Sequence, residues 1–336
     1  MSIDTDRVSA RYRTAALRRE ERQLLMTDFR RTEQEADLSE PPNCGGLGRI
    51  RHFHRRSAPG WPANPLPIDP AARALGLLPQ NEMRGQVFQN AVCNWRCWYC
   101  FVPFELLAAS REHSAWVTPQ ELVSRYLAEP DRPRVIDLTG GQPDLVPEWI
   151  PWMMEALRER GLERDTYLWS DDNLSNDYFW RHLSPSEQEL VATYPMYGRV
   201  CCFKGYDKES FAFNTKADPV LFAQQFELFG RHLASGVDLY AYATFTGPVH
   251  ADLADRMTRF VDQLQRLDPN LPLRTVPLLI EVYTPVEARL HAAERTALDS
   301  QWRAIEAWQR ELDGRFSATE RERSVADVLV GVRARR

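Results

Sequence analysis

The run Cys93-Asn94-Trp95-Arg96-Cys97-Trp98-Tyr99-Cys100 sets three thiols on one short stretch, with three and then two residues between them. It follows directly on 86–92, a β-rich run that reads as a strand. Thiolates this close on one loop can take three corners of a cubane iron–sulfur cluster, because ligated cysteine sulfur is soft and negatively charged. Three ligands leave one iron open, which suits a site where a small molecule takes the fourth position. The competing reading is a zinc knuckle with His113 or Cys44 as fourth ligand, although structural zinc sites usually draw on two separated ligand pairs. Inert buried thiols fit less well, since the chain has only three other cysteines, Cys44, Cys201 and Cys202.

Working outward from the thiols, short β-rich runs alternate with amphipathic stretches, the pattern that builds a parallel sheet with helical crossovers. The expected strands are 86–92, 134–139, 166–170, 199–204, 238–245 and 273–282. Thr118-Pro119-Gln120-Glu121 and Ser184-Pro185-Ser186-Glu187 both match a capping box with proline at the first helical position, and Asp218-Pro219 is a similar start. Gly161 and Gly236 sit where helices should stop. Six βα units are too few for a closed eight-fold barrel, so the expected fold class is α/β with an open, partial (βα)6 barrel. Residues 4–37 read as a solvated helix, and the Pro- and Gly-rich segment 40–79 as an irregular arm. A last long helix is expected over about 286–313, with Leu290, Leu298, Trp302, Ile305 and Trp308 on one side. The organisation is therefore an N-terminal helix and arm (1–84), the barrel (85–285) and a C-terminal helical extension (286–336).

A chain of 336 residues with 43% hydrophobic content can bury a large core without staples. Its net charge of −5 argues against a general nucleic-acid binder, which needs a positive footprint. The basic run Arg49-Ile50-Arg51-His52-Phe53-His54-Arg55-Arg56 is the local exception; it reads as a solvated charge run, or as a holder of phosphate or an acidic partner. Residues 1–7 lack the apolar core of a signal peptide and no segment approaches the length of a membrane span, so a cytoplasmic protein with reduced thiols and no membrane partner is expected.

The C-x3-C-x2-C pattern, with an aromatic residue before its last cysteine and a strand before its first, resembles the signature of radical S-adenosylmethionine (SAM) enzymes. The resemblance implies that Cys93, Cys97 and Cys100 bind a 4Fe-4S cluster whose fourth iron is chelated by the amino and carboxylate groups of SAM. It further implies reductive cleavage of SAM to methionine and a 5′-deoxyadenosyl radical, which abstracts hydrogen from an organic substrate. An electron donor such as flavodoxin or ferredoxin would then be a partner, and the substrate, a small molecule or a protein, is not named by the sequence.

Further residues follow from the same resemblance. Tyr99 is similar to the residue that lies against adenine. Gly140-Gly141-Gln142-Pro143 resembles the Gly-Gly-Glu-Pro segment that contacts the SAM amino group, with Gln142 in place of the acid; an ordinary strand-end turn is the plain alternative. Lys204, at the close of the fourth expected strand, resembles the lysine that pairs with the SAM carboxylate in glycyl-radical activating enzymes, though Cys202 stands where those have Asp; its alternative is a surface lysine. Ser170, at the end of the third expected strand, is a candidate ribose or carboxylate contact. The resemblance spans about 85–285. Cys201 and Cys202, adjacent on a strand, should face opposite ways. His113, His250, Glu281 and Tyr283 are candidate acids or bases, each also readable as structural. Two further functions stand beside the SAM enzyme with a free substrate: an activase that installs a glycyl radical on a partner protein, and a non-catalytic zinc or iron–sulfur module.

Overall fold

In the computed structural model, which describes residues 2–56 and 58–331, all six expected strands form, each within a few residues of its expected position. In chain order the strands are β1 (Leu17–Arg18), β2 (Gln23–Thr27), β3 (Gly48–His54), β4 (Glu82–Gln89), β5 (Ser114–Val117), β6 (Val135–Thr139), β7 (Tyr167–Asp172), β8 (Tyr197–Phe203), β9 (Leu239–Thr244) and β10 (Thr275–Leu278). The helices are α1 (Thr5–Ala16), α2 (Ile68–Ala74), α3 (Pro119–Ala128), α4 (Trp149–Glu159), α5 (Tyr178–His182), α6 (Pro185–Thr193), α7 (Lys208–Thr215), α8 (Leu221–Ser235), α9 (Leu253–Leu267), α10 (Thr284–Glu287), α11 (Ala292–Arg315) and α12 (Ala318–Arg321).

The main sheet has seven strands in the order β10-β9-β8-β7-β6-β4-β3. Every neighbouring pair is parallel except β3 with β4. The sheet curls through 202° into a half-barrel, so β3 and β10 are its two free edges. Strands covered on both faces are largely apolar, and β6, β8 and β9 are buried at every position, with Asp137 and Arg199 as their buried charged exceptions. The helix starts hold as expected: Thr118 and Ser184 each accept from the backbone N–H three residues on, and the glutamate there returns the bond. Gly236 closes α8 with φ of +84°, a left-handed conformation that costs glycine little.

Three expectations need correction. The N-terminal helix ends at Ala16; the chain then forms β1 and β2, which join β5 in a separate three-stranded sheet, because Leu24, Leu25 and Met26 bury against the barrel. The arm is not irregular throughout: it holds α2 and β3, and β3 pairs with β4 over Gly48–Phe88 to His54–Glu82. The expected boundary at 84/85 thus falls inside β4, and the first segment shares a sheet with the barrel. The last helix is two, α10 and α11, separated at residues 288–291; Ile305 and Trp308 are buried, whereas Trp302 faces solvent. Among the described residues no helix is long and apolar enough to cross a membrane.

Candidate functional site at the thiol loop

The thiol loop leaves the C-terminal end of β4 and is held from three sides by backbone hydrogen bonds. Cys93 N donates to Leu107 O at 3.1 Å, Arg96 N to Thr215 O at 3.2 Å and Trp98 N to Asn214 O at 3.2 Å. Trp98 is fixed again through its indole N–H, which donates to Asn214 Oδ1 at 3.0 Å. Arg96 ties the loop to itself and to α1, donating to the carbonyls of Cys93 (2.7 Å) and Trp95 (2.8 Å) and to Tyr12 Oη (2.7 Å). Arg289, between α10 and α11, donates to Cys100 O at 2.6 Å and Val102 O at 3.2 Å. The two helical layers thereby meet on this loop.

The turn after β6 packs directly beneath it. Gln142 N donates to Val92 O at 2.8 Å, and Asn90 Nδ2 to Gln142 O at 3.0 Å. Gly141 has φ of +62°, and a Cβ there would stand 2.4 Å from Val92 O and 2.5 Å from Asn90 O, so any side chain would push the loop's root away. Gly140 is hemmed in likewise by the Gln89 side chain.

Burial raises the pKa of all three thiols, Cys97 up to about 12. Opposing it are backbone N–H groups of Trp95 toward Cys93 and Val102 toward Cys100, and the cations Arg96, Lys204 and Arg289. The charges acting most strongly on the thiols are one another and those cations, with no carboxylate among them. A positive setting favours thiolate, and thiolate is the metal-binding form. Sulfurs around one tetrahedral zinc at a Zn–S distance of ~2.3 Å would stand only ~3.8 Å apart. Among the described residues the three sulfurs are not gathered with every pair within 4.8 Å. Cys44 is held elsewhere, beside Glu129 and Arg125 of the α3 end, and His113 sits in the turn before β5, its carbonyl accepting from Asp28 N. Neither joins the thiols as a fourth ligand. The donor set therefore fits a three-thiolate cluster better than a closed zinc site.

Strand alternation then sorts the remaining candidates. Lys204 is not a surface lysine: half-buried, it lies on the inner side of the barrel, where Cys202, Tyr99, Cys97 and Asp171 act on its charge. Tyr99 is buried, with its hydroxyl 3.3 Å from Thr244 Oγ1 at the end of β9. Cys201 and Cys202 face opposite ways as expected, the first toward Asp172 in the helical layer, the second toward Lys204 and Asp171 inside. Ser170 is a correction. It points to the outer layer, fully buried, with its hydroxyl 2.7 Å from Tyr197 Oη, and so cannot reach a ligand in the barrel. Its neighbour Asp171 is the inward residue, bonded by Thr139. The Gln142 side chain is committed to β7: its amide N–H donates to Asp172 Oδ1 at 2.8 Å and its oxygen accepts from Asn173 N at 3.0 Å. A SAM ammonium at this turn would thus meet backbone oxygens before the Gln142 amide.

Two inner residues were missed from the sequence, Asp137 on β6 and Asp171 on β7, while Arg49 and Arg51 on β3, read there as a solvated run or a holder of phosphate or an acidic partner, face the same interior. The Arg49-Ile50-Arg51-His52-Phe53-His54 alternation carried the signal, masked by the proline-rich flanks. Between the two edges of the half-barrel lies a cavity of about 460 Å³, bordered by Arg49, Arg51, Phe101, Leu278, Glu281 and Tyr283. Of the acid–base candidates, Glu281 and Tyr283 border this cavity, while His250 lies 3.5 Å from Glu209 on α7.

No family model matches the chain, and no curated protein resembles it. Solved structures of SuiB from Streptococcus suis, one bound to precursor peptide SuiA and one bound to S-adenosylmethionine, are similar to it at 15% and 16% identity, each with a TM-score of 0.39. The likeness covers 54% of this chain and only 36% and 37% of those chains, so the matched region spans about a third of SuiB.

Proposed function

We propose that the protein cleaves SAM reductively at a 4Fe-4S cluster held by Cys93, Cys97 and Cys100 and that the 5′-deoxyadenosyl radical takes a hydrogen atom from an organic substrate bound in the half-barrel. One electron, supplied by a donor such as flavodoxin or ferredoxin, divides SAM into methionine and that radical, which ends as 5′-deoxyadenosine. The observation that carries this reading is the thiol loop itself: three cysteines at the C-terminal mouth of the first parallel strand, flanked by Lys204, Arg96 and Arg289, with neither Cys44 nor His113 beside them.

The chain's own residues have separable tasks in this reading. Arg96 and Arg289 fix the loop through its carbonyls and leave the sulfurs free. Lys204 holds a positive charge beside Cys97 and in this reading pairs with the carboxylate of SAM. Tyr99, wedged between Trp98 and Thr244, offers a ring for the adenine. The inward face of the sheet and the cavity between its edges take the substrate.

Anaerobic reconstitution followed by iron and sulfide analysis and a 5′-deoxyadenosine assay tests it. About four irons and four sulfides per chain and reductant-dependent 5′-deoxyadenosine are expected, both lost when Cys93, Cys97 and Cys100 are replaced by Ala. Stoichiometric zinc without sulfide would support the non-catalytic module instead.

A further inference from the structure

Among the described residues inside the half-barrel, Arg49 is a buried cation with two donors left without an acceptor. Arg49 projects from β3, the antiparallel edge strand, into the protein interior with only 5% of its surface exposed. Its Nε and Nη2 atoms are buried and donate to no acceptor. A guanidinium carries five donors in a fixed fork, and leaving it buried without an anion costs several kcal/mol, on the order of 3 or more. Burial and the like charge of Arg51 push its pKa down to about 10, so it stays charged at neutral pH.

The nearest acids do not answer it. Asp137 and Asp171 act on Arg49 through space, yet Asp137 Oδ1 is itself without a hydrogen-bond donor, so guanidinium and carboxylate are not bonded there. Burial and the Asp171 charge raise the Asp137 pKa, which reduces the negative charge it can offer. Asp171 is engaged by Thr139. Lys204, the other inner cation, stands by the thiols. Arg49 faces a different neighbour: its guanidinium lies 5.2 Å from the ring of Phe101, the residue after Cys100. It also borders the 460 Å³ cavity between the sheet edges, whose other walls include Leu66, Leu278 and Tyr283.

We propose that Arg49, with Arg51 beside it, anchors the oxyanion of the substrate, a carboxylate or a phosphate monoester, at the cavity between β3 and the segment after β10. The planar fork matches either group through two parallel N–H···O bonds. Leu66, Phe101, Leu278 and Tyr283 then accommodate an apolar or aromatic body. An anion fixed at Arg49 would hold that body next to the thiol loop, since Phe101 belongs to both. The inference rests on the radical SAM reading only for what happens to the bound molecule; the anion site stands on its own geometry.

The test is calorimetric titration of the full-length, cluster-reconstituted protein under anaerobic conditions with 3-phenylpropanoate, its neutral amide 3-phenylpropanamide, and phenyl phosphate. At least one anion is expected to bind about tenfold or more tightly than the amide, and Arg49→Gln to weaken it by about tenfold or more while Arg49→Lys restores part of the loss. The tighter of the two anions identifies the headgroup. Should Arg49→Gln not fold, the comparison of acid with amide on the unsubstituted protein still decides. Equal binding of acid and amide, no binding of any probe, anion binding indifferent to Arg49→Gln, or displacement of the anion by SAM would each overturn the assignment; the last would give Arg49 to the cosubstrate. Arg49-dependent anion binding in a protein that forms no 5′-deoxyadenosine would keep the site and refute the radical chemistry, whereas 5′-deoxyadenosine formation with no anion preference would do the reverse.

Discussion

The outer and inner faces of the curled sheet carry residues of similar chemistry in opposite states. On the outer face Arg199 donates to both oxygens of Asp144 at 2.8 and 3.1 Å and to His232 Nε2 at 2.9 Å, and Asp172 accepts from Gln142 and from Leu174 N. On the inner face, Arg49 of β3 and Asp137 of β6 keep polar atoms without partners. A buried polar group is tolerated when its bonds are made, and one left open needs a reason. The outer network is a brace between sheet and helices with its charges paired, His232 Nδ1 being its one open atom among those named; the inner set is open because it works on something that arrives. The same contrast disposes of a second metal site. Asp172, Cys201 and His232 bring ligand atoms within 4.8 Å of one another, but the Arg199 guanidinium already occupies that space as the cation.

Breaking the outer brace should have the largest effect on stability. Arg199→Met strands Asp144 without its buried partner and takes from Asp172 a nearby cation, and should cost about 3–5 kcal/mol, read as a lowered urea midpoint or as insoluble protein. A loss below about 1 kcal/mol would show that the network is not a brace. Acid should act on the same place. Burial and Arg199 hold His232 neutral with a pKa of about 4, below its ordinary 6.5. The unfolded chain therefore binds this proton first, and the His232 contribution to stability should be full above pH 6.5 and fall toward pH 4 by on the order of 3 kcal/mol, while Asp144, whose pKa burial raises to about 7, acts in the opposite direction. His232→Gln should flatten that slope, and an unchanged slope would place the acid sensitivity elsewhere. The inner face should respond least. Asp137→Asn removes a carboxyl whose pKa burial already raises, so stability should change by less than about 1 kcal/mol or improve; a loss comparable to that of Arg199→Met would erase the distinction between the two faces.

Much of the frame was legible because it rests on local signals. Capping boxes at Thr118 and Ser184, the stop at Gly236 and the apolar runs of β6 to β9 act within a few residues, and the thiol spacing is itself local. What failed depended on partners distant in sequence. β3 looked like an irregular, solvated stretch because its inward positions are arginines, and only the curled sheet supplies the acids and rings that face them. Leu24, Leu25 and Met26 looked like part of a helix until β5, some ninety residues on, provided the pairing. Ser170 illustrates the period-two rule at its sharpest: a one-residue difference in strand phase exchanges a ligand contact for a bond to Tyr197 and brings Asp171 inward instead.

The central claim is that the three thiolates of Cys93, Cys97 and Cys100 hold a cluster with one iron open to SAM. Electron paramagnetic resonance of the anaerobically reduced protein, recorded with and without SAM, tests it most directly. A reduced cluster signal whose shape changes on adding SAM is the predicted result, and it should vanish in Cys97→Ala. A cluster signal indifferent to SAM, or reconstituted protein that holds zinc and no sulfide, would contradict the account.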